Sequence, residues 1–356
     1  MEKFCKKFSD IFDNNNNNNN KYPFPPIDGN KLVIGRLKIG QSLATNPNEI
    51  NVSEKGEKFI YKSMFENPND GENINGTFVM KVPDFIIDKL GEYYMYFAHH
   101  EGKYIRLAYS NSLTGPWKLY TGPHVLSVDD CDASREHVAS PFIVIIDKIL
   151  IMFFHSPLKK ESGQKSFYAT SSDGLKFQCP NNAKPVLPLP YMTLFKYPTQ
   201  SDLWFAFGKR GDTCHVLYRS TSGPLGPYQE GPSVLERGRH ISLNVVNNNT
   251  KLYLNILYSR IQDEPEAIVA TGIDISNAQN WKYWVSQDKF VIGVIKPMFD
   301  YEGVNLPIKP SEGGESVDAV HQLRDPFIYN LKPNNYILYY STEGEKGIAA
   351  AQLFLI

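Results

Sequence analysis

Cysteine is scarce in this chain. Four of its 356 residues are cysteines (Cys5, Cys131, Cys179 and Cys214), with no CxxC pair among them. No grouping of Cys and His has the spacing of a zinc site. Sparse cysteines and the lack of a secretory apolar segment point to a reducing compartment, so a cytoplasmic location is expected. An excess of either charge is also missing, with 37 Lys and Arg against 38 Asp and Glu. Nothing in that balance attracts the chain to a polyanion or a membrane surface, and nucleic acid is not an expected partner. No transmembrane segment is present. The opening MEKFCKKFSDIF sets Met1, Phe4, Cys5, Phe8, Ile11 and Phe12 at helical spacing, but it is too short and too charged to span a bilayer. It reads as a frayed tail, with a small docking or membrane-surface helix as the alternative. Asn14 to Asn20 is a homopolymer with nothing to bury, which makes residues 1–20 a disordered tail.

Aromatic residues, in contrast, are abundant, with 21 Tyr and 21 Phe. Residues 81–117 hold a unit of short strands rich in Tyr, Phe, Ile and Val. Gly, Asp, Asn and Pro bound them, and a Gly115-Pro116-Trp117 corner opens the last. The unit returns over 137–177, 195–228, 239–284 and 323–353. Pro83, Pro141 and Pro198 mark strand starts about 57 residues apart, just above the range of blade-type repeats. Close to twenty strands are far more than a sandwich of about seven needs. The prediction is an all-β fold, a five-bladed β-propeller with four-stranded blades, occupying residues 21–356. The blades are expected at about 76–122, 133–180, 191–234, 237–288 and 320–356. Blade five has only three strands of its own; two plausible strands lie upstream, at 32–40 and 58–65, and a strand from this N-terminal region is expected to cover its outer edge. Residues 291–321 form a long loop carrying Glu302, Glu312 and Glu315, read as a lid over one face.

In a propeller the first strand of each blade lines the central channel, so its polar residues meet although they are distant in sequence. The inner-strand candidates are Lys81 and Asp84; Glu136, His137 and Ser140; Lys196 and Tyr197; Arg239 and His240; and Gln322, Arg324 and Asp325. Charges buried in such a ring must pair with one another or meet solvent and ligand. One reading is a water-filled channel of mutually paired charges. The other is a polar ligand pocket at the channel mouth.

Three stretches resemble the blades of five-bladed propeller glycosidases: DPFI…YILYYS (325–341), GEYYMYF (91–97) and AYSNSLTGPW (108–117). This is the arabinanase, β-xylosidase, levansucrase and invertase group, which includes glycoside hydrolase family 43. The chain is also similar to family-43-like proteins that share YFAHH (96–100), HVASP (137–141) and QLRDP (322–326). The likeness spans roughly residues 76–353. It implies a glycan in the central pocket and a glycosidic bond cleaved by a pair of carboxylates, so an oligo- or polysaccharide substrate and a monomeric enzyme are expected.

Family members place acids on the inner strands of blades one, two and three. Asp84 fits the first by position; Ser140-Pro141 stands at the second, and residues 197–200 offer no Glu at the third. Cleavage still needs one protonated and one ionised carboxyl group. The expected catalytic residues are therefore Asp84 and Asp325, neighbours once the ring closes, with Glu302 in the lid as general acid and Glu136 as its substitute. Arg106, Arg239 and Arg324 would bind hydroxyls or a carboxylate in a bidentate manner. His99, His100, His137, Ser140, His240 and Gln322 complete the expected substrate contacts. No cofactor is expected. A channel histidine accompanies a structural Ca²⁺ in the family, which makes His240 the candidate metal ligand. The alternatives are a carbohydrate-binding propeller that has lost the usual acids, and a protein-interaction propeller, against which stands the absence of WD and kelch signatures.

Overall fold

The computed structural model describes residues 32–132, 136–158, 163–247, 250–285 and 291–355. The expected disordered tail over residues 1–20 lies outside them. Among the described residues no helix is long and apolar enough to cross a membrane.

The chain opens with β1 (Leu32–Arg36) and β2 (Lys58–Tyr61), then builds five antiparallel sheets in sequence. Blade one is β3 (Asn75–Lys81), β4 (Tyr93–Ala98), β5 (Tyr104–Ser110) and β6 (Lys118–Leu119), with β7 (Leu126–Ser127) also pairing β5. Blade two is β8 (Ala139–Ile146), β9 (Ile149–Pro157) and β10 (Gln164–Ser171). Bridges from Ser166 to Leu187 and from Thr170 to Gln178 occupy its outer edge. Blade three is β11 (Thr193–Lys196), β12 (Trp204–Arg210), β13 (Cys214–Ser220) and β14 (Gln229–Glu236). Blade four is β15 (Gly238–Asn247), β16 (Leu252–Arg260), β17 (Ile268–Asp274) and β18 (Ile292–Ile295). Blade five is β19 (Arg324–Lys332), β20 (Asn335–Ser341) and β21 (Gly347–Leu355). The fold is the expected five-bladed propeller.

The ring is closed by its first strand. β1 lies antiparallel on β21, Leu32 opposite Leu355 and Arg36 opposite Ala351, while β2 pairs the other end of β21. The edge that blade five would expose is thus covered from the N-terminal side, as the sequence predicts. Among the described residues the apolar core divides into five clusters, one for each junction between neighbouring blades. The junction of blade five with blade one holds Ile337, Tyr339 and Ala350 against Val79, Met95 and Phe97. Second strands are buried on both faces, which explains runs such as YYMYFA in β4 and NYILYYS in β20. Each fully buried aromatic there contributes on the order of 2–3 kcal/mol. The Gly-Pro corners at 115–116 and 226–227 are equivalent in blades one and three, and both peptide bonds are cis.

Two expectations are corrected. Blade four's outer strand is β18 (Ile292–Ile295), taken from the start of the expected long loop, while the expected strand at 281–284 falls in and just after a 3-10 turn over Ala278–Tyr283. The sequence predicts that blade one's inner strand starts at Lys81, in phase with Pro141 and Pro198; it runs instead over Asn75–Lys81. Pro83 stands beyond its end, in a turn where the Ile86 N–H donates to the Pro83 carbonyl at 3.1 Å. Pro198 likewise lies beyond the end of β11. The regular proline spacing misled because Pro can end a strand as readily as it opens one.

Candidate functional site

Four inner strands carry a β-bulge at the same level, between Asn75 and Phe78, Ala139 and Phe142, Gly238 and Ile241, and Arg324 and Phe327. Bulges re-aim side chains. Residues at this level are left-handed in four blades: Gly76 (φ 63°), Ser140 (φ 54°), Tyr191 (φ 60°) and Asp325 (φ 50°). Glycine adopts that backbone without penalty, but Ser, Tyr and Asp do so at a cost of order 1–3 kcal/mol. Three blades therefore hold a strained side chain where glycine would be relaxed. These four residues and His240 line one cavity, together with Thr77, Thr193 and Ser242. Phe78, Phe142 and Phe327 contribute an aromatic part of the same wall; the Phe78 ring centroid is 5.2 Å from Phe142 and 4.8 Å from Phe327. The cavity volume is ≈ 40 Å³. That is room for about three waters, against the roughly 300 Å³ or more of a pocket that encloses a whole ligand.

Within this wall three residues from three blades form a chain of hydrogen bonds. The Nδ1 of His240 meets Oδ1 of Asp325. His240 Nε2 is 2.8 Å from the Ser140 hydroxyl oxygen. Asp325 is 2 % exposed. Burial acts to raise its pKa, but the facing His240 outweighs this and holds the carboxyl below its ordinary value. An ionised carboxylate only accepts, so Nδ1 carries a proton toward Asp325, and Nε2 is the nitrogen that meets the Ser140 hydroxyl. The Tyr191 ring stands beside His240, 4.7 Å between centroids, and 4.2 Å from His155 on its other side. Burial, followed by the charge of Asp325, raises the Tyr191 pKa, so its phenol stays protonated.

A second group of charges lies beside the cavity. Arg239 grips Glu266 through two bonds of 2.8 and 3.0 Å. Arg324 stands between Glu266 (3.3 Å) and Glu345 (3.1 Å), with Gln322 accepting two further bonds from its guanidinium. Glu345 also pairs with His100 at 3.3 Å and accepts from Asn73. Burial would raise the Glu345 pKa, but His100 and Arg324 drive it far below the usual carboxylate range. The long loop crosses this group: Arg239 donates to the carbonyls of Glu312 and Gly314, and Glu315 accepts from Asn73 at 3.0 Å.

The structure brings together Ser140, His240 and Asp325 at the cavity, and His100, Arg239, Gln322 and Arg324 in the network beside it. The other expected site residues and inner-wall candidates stand elsewhere. Asp84 is exposed in the turn beyond β3, five or more residues along the chain from the cavity end, so it does not share the pocket with Asp325. Glu302 is buried against Arg36 (3.0 Å) and accepts from the Tyr340 hydroxyl and the Met298 N–H, tying β1 to the segment after β18. It is a structural carboxylate and not the general acid of a lid. Arg106 is buried over the Phe65 and Phe97 rings and donates to the backbone carbonyls of Asp70 and Asn73. Tyr197, expected on the inner wall, spends its hydroxyl on the Ile275 carbonyl at 3.0 Å. His99 is partly exposed, 4.0 Å from Glu315. His137 is buried beside His155, and burial lowers its pKa. Glu136 is exposed where the chain enters β8. Among the described residues no group of three His, Cys, Asp or Glu side chains is placed to hold a metal ion. Both nitrogens of His240 are taken by Ser140 and Asp325, so this residue does not fit a Ca²⁺ site.

Sequence reasoning missed Tyr191, Glu266 and Glu345. Tyr191 follows the LPLP run at 187–190, a break that marks the entry to an inner strand. Glu266 leads into the third strand of blade four and Glu345 sits in the β20–β21 hairpin, and no spacing signals their convergence.

No family model matches the sequence. The chain is 30 % identical over 318 residues to the uncharacterized protein R118 of Acanthamoeba polyphaga mimivirus, covering 79 % of this chain and 83 % of that protein. The chain belongs to the R118 family. Solved structures extend the likeness of fold. A thermostable family-43 glycoside hydrolase covers 79 % of this chain and 88 % of its own at 13 % identity and a TM-score of 0.50. CoXyl43, a β-xylosidase/α-arabinofuranosidase from a compost microbial metagenome solved with xylotriose, covers 79 % and 90 % at 11 % identity and a TM-score of 0.51. BT0996, solved as an RGII complex, covers 83 % and 90 % at 12 % identity and a TM-score of 0.55. The R118-family chain thus carries the family-43-like propeller.

Proposed function

We propose that the chain is a carbohydrate-binding propeller that does not cleave glycosidic bonds with paired carboxylates. One observation carries the reading: among the described residues lining the cavity, Asp325 is the one carboxylate. The acids beside it are locked, Glu266 by two arginines and Glu345 by Arg324 and His100. Hydrolysis needs a second carboxyl group that carries a proton at working pH. Glu345, held far below its ordinary pKa, has none to give. A pyranose is too large for the cavity, so the sugar sits at the mouth and a substituent enters. The aromatic part of the cavity wall and the polar groups that converge on it suit an apolar C–H face rimmed with hydroxyls.

The test is a panel of plant and microbial oligosaccharides, followed by calorimetry for binding and by reducing-end release for cleavage. Binding without release is expected. Release that Asp325→Asn abolishes would overturn the reading and restore a glycosidase working through an acid outside this cavity wall.

A further inference from the structure

The geometry points to an ester hydrolase site, in which Ser140 is the nucleophile, His240 the general base and Asp325 the group that orients the imidazole. The assignment of the substrate as an O-acylated sugar rests on the carbohydrate-binding reading; the relay itself does not.

Three features carry the inference. The order hydroxyl–imidazole–carboxylate is complete, with Ser140 Oγ 2.8 Å from His240 Nε2 and Asp325 on the opposite nitrogen. The serine sits at φ 54° on a bulge, a strained backbone that presents its side chain to the cavity. The Thr77 hydroxyl, on a residue only 6 % exposed, lines the same cavity and has no hydrogen-bond partner. It supplies a donor for an oxyanion. Pro141 follows the serine and has no N–H to give, so a side-chain donor is what this site requires. A cavity of ≈ 40 Å³ admits a two-carbon acyl group and its attacking water but no sugar ring. The substrate class is therefore an acetyl or similarly short ester projecting from a larger alcohol held at the mouth.

The step balances without a co-reactant beyond water. Ser140 Oγ bonds to the ester carbonyl carbon while His240 Nε2 takes the hydroxyl proton, and the carbonyl π pair moves to oxygen beside Thr77. Collapse re-forms the carbonyl and breaks the carbon–alkoxy bond, and the departing alkoxide takes the proton from Nε2. Water then attacks the acyl carbon, passes a proton to Nε2, and the acyl–Oγ bond breaks as that proton returns to Ser140. The products are one alcohol and one carboxylic acid.

Two measurements on the full chain test the site. The first is hydrolysis of p-nitrophenyl acetate and of p-nitrophenyl octanoate. The second is labelling by an alkyl fluorophosphonate, mapped by peptide mass. Wild type is expected to turn over the acetate well ahead of the octanoate and to carry the label on Ser140. Ser140→Gly suits the left-handed backbone and should fold; it is expected to lose the label and at least 10³-fold in turnover. His240→Asn should lose turnover while Thr77→Val keeps the label and loses on the order of 10²-fold in rate. Wild type that stays unlabelled, or acetate turnover unchanged in Ser140→Gly, would overturn the site. Ester turnover in a chain that binds no glycan would sink the carbohydrate reading and leave the relay standing.

Discussion

Replacing Arg324 by Met tests how the charge network beside the cavity is held. Arg324 is 3 % exposed and bridges Glu266 and Glu345. Glu266 keeps its two-bond grip from Arg239, so the stranded charge is Glu345, left with His100, Asn73 and the Ser316 N–H. Removing one partner of a buried pair costs about 3–5 kcal/mol, and the remaining partners place this case near the lower end. An unfolding entropy of roughly 2 cal/mol/K per residue makes about 3 kcal/mol a drop of about 4 °C in Tm. The pH dependence has a definite sign. Glu345 has a depressed folded pKa, so its contribution is present above its unfolded value of 4.5 and is lost as pH falls through the folded one. The penalty of Arg324→Met should therefore shrink in strong acid. His100 is raised above 6.5, burial opposing and Glu345 prevailing, so its contribution is present below 6.5 and lost as pH rises through its folded pKa. Once His100 has given up its proton, the variant's Glu345 keeps only the longer-range field of Arg239, and the penalty should climb toward about 5 kcal/mol. Urea unfolding followed by intrinsic fluorescence at pH 2, 6 and 8.5 measures both. Adding Glu345→Gln should return most of the loss. A penalty under about 1 kcal/mol, or no recovery in the double variant, would refute the account of mutual compensation.

Two other outcomes are expected. His215 is fully buried with neither ring nitrogen paired, and burial lowers its pKa to about 3. The unfolded chain then binds the extra proton, and stability should fall by roughly 1.4 kcal/mol per pH unit between pH 6.5 and 3 on its account; His215→Gln should flatten that limb in an acid titration followed by circular dichroism. Cys131 and Cys179 are disulfide-bonded across a separation of 48 residues, a closure that stabilises by roughly 4 kcal/mol in the chain-entropy model. Thiol titration of denatured, unreduced protein purified under oxidising conditions should count Cys5 and Cys214 alone, and all four after reduction.

The repeat was legible because strand chemistry is local. Tyr-rich second strands such as β4 and β20, Gly-Pro corners and a spare N-terminal strand each announce themselves within a dozen residues. The phase of blade one was not legible, since Pro83 mimicked the strand-opening Pro141 while the bulge at Gly76 left no mark in the pattern. Ser140, His240 and Asp325 all stood out as polar residues on inner strands, yet their linkage did not. The 100 residues between Ser140 and His240, and the 85 between His240 and Asp325, are brought together only by ring closure. Asp84 and Glu302 misled for the opposite reason: a carboxylate in an apolar neighbourhood reads alike whether it serves a ligand or, as Glu302 does, a buried arginine.

The pairing of β1 with β21 sets how the molecule yields to force. Because Leu32 lies opposite Leu355, the chain leaves both strands at the same end of their ladder. Tension applied through tethers on the two ends would peel this seam one bond at a time, as a zipper opens, instead of loading its bonds together in shear. Blade five would part first, at low load, and the four remaining sheets would lose the clamp that keeps them in a circle.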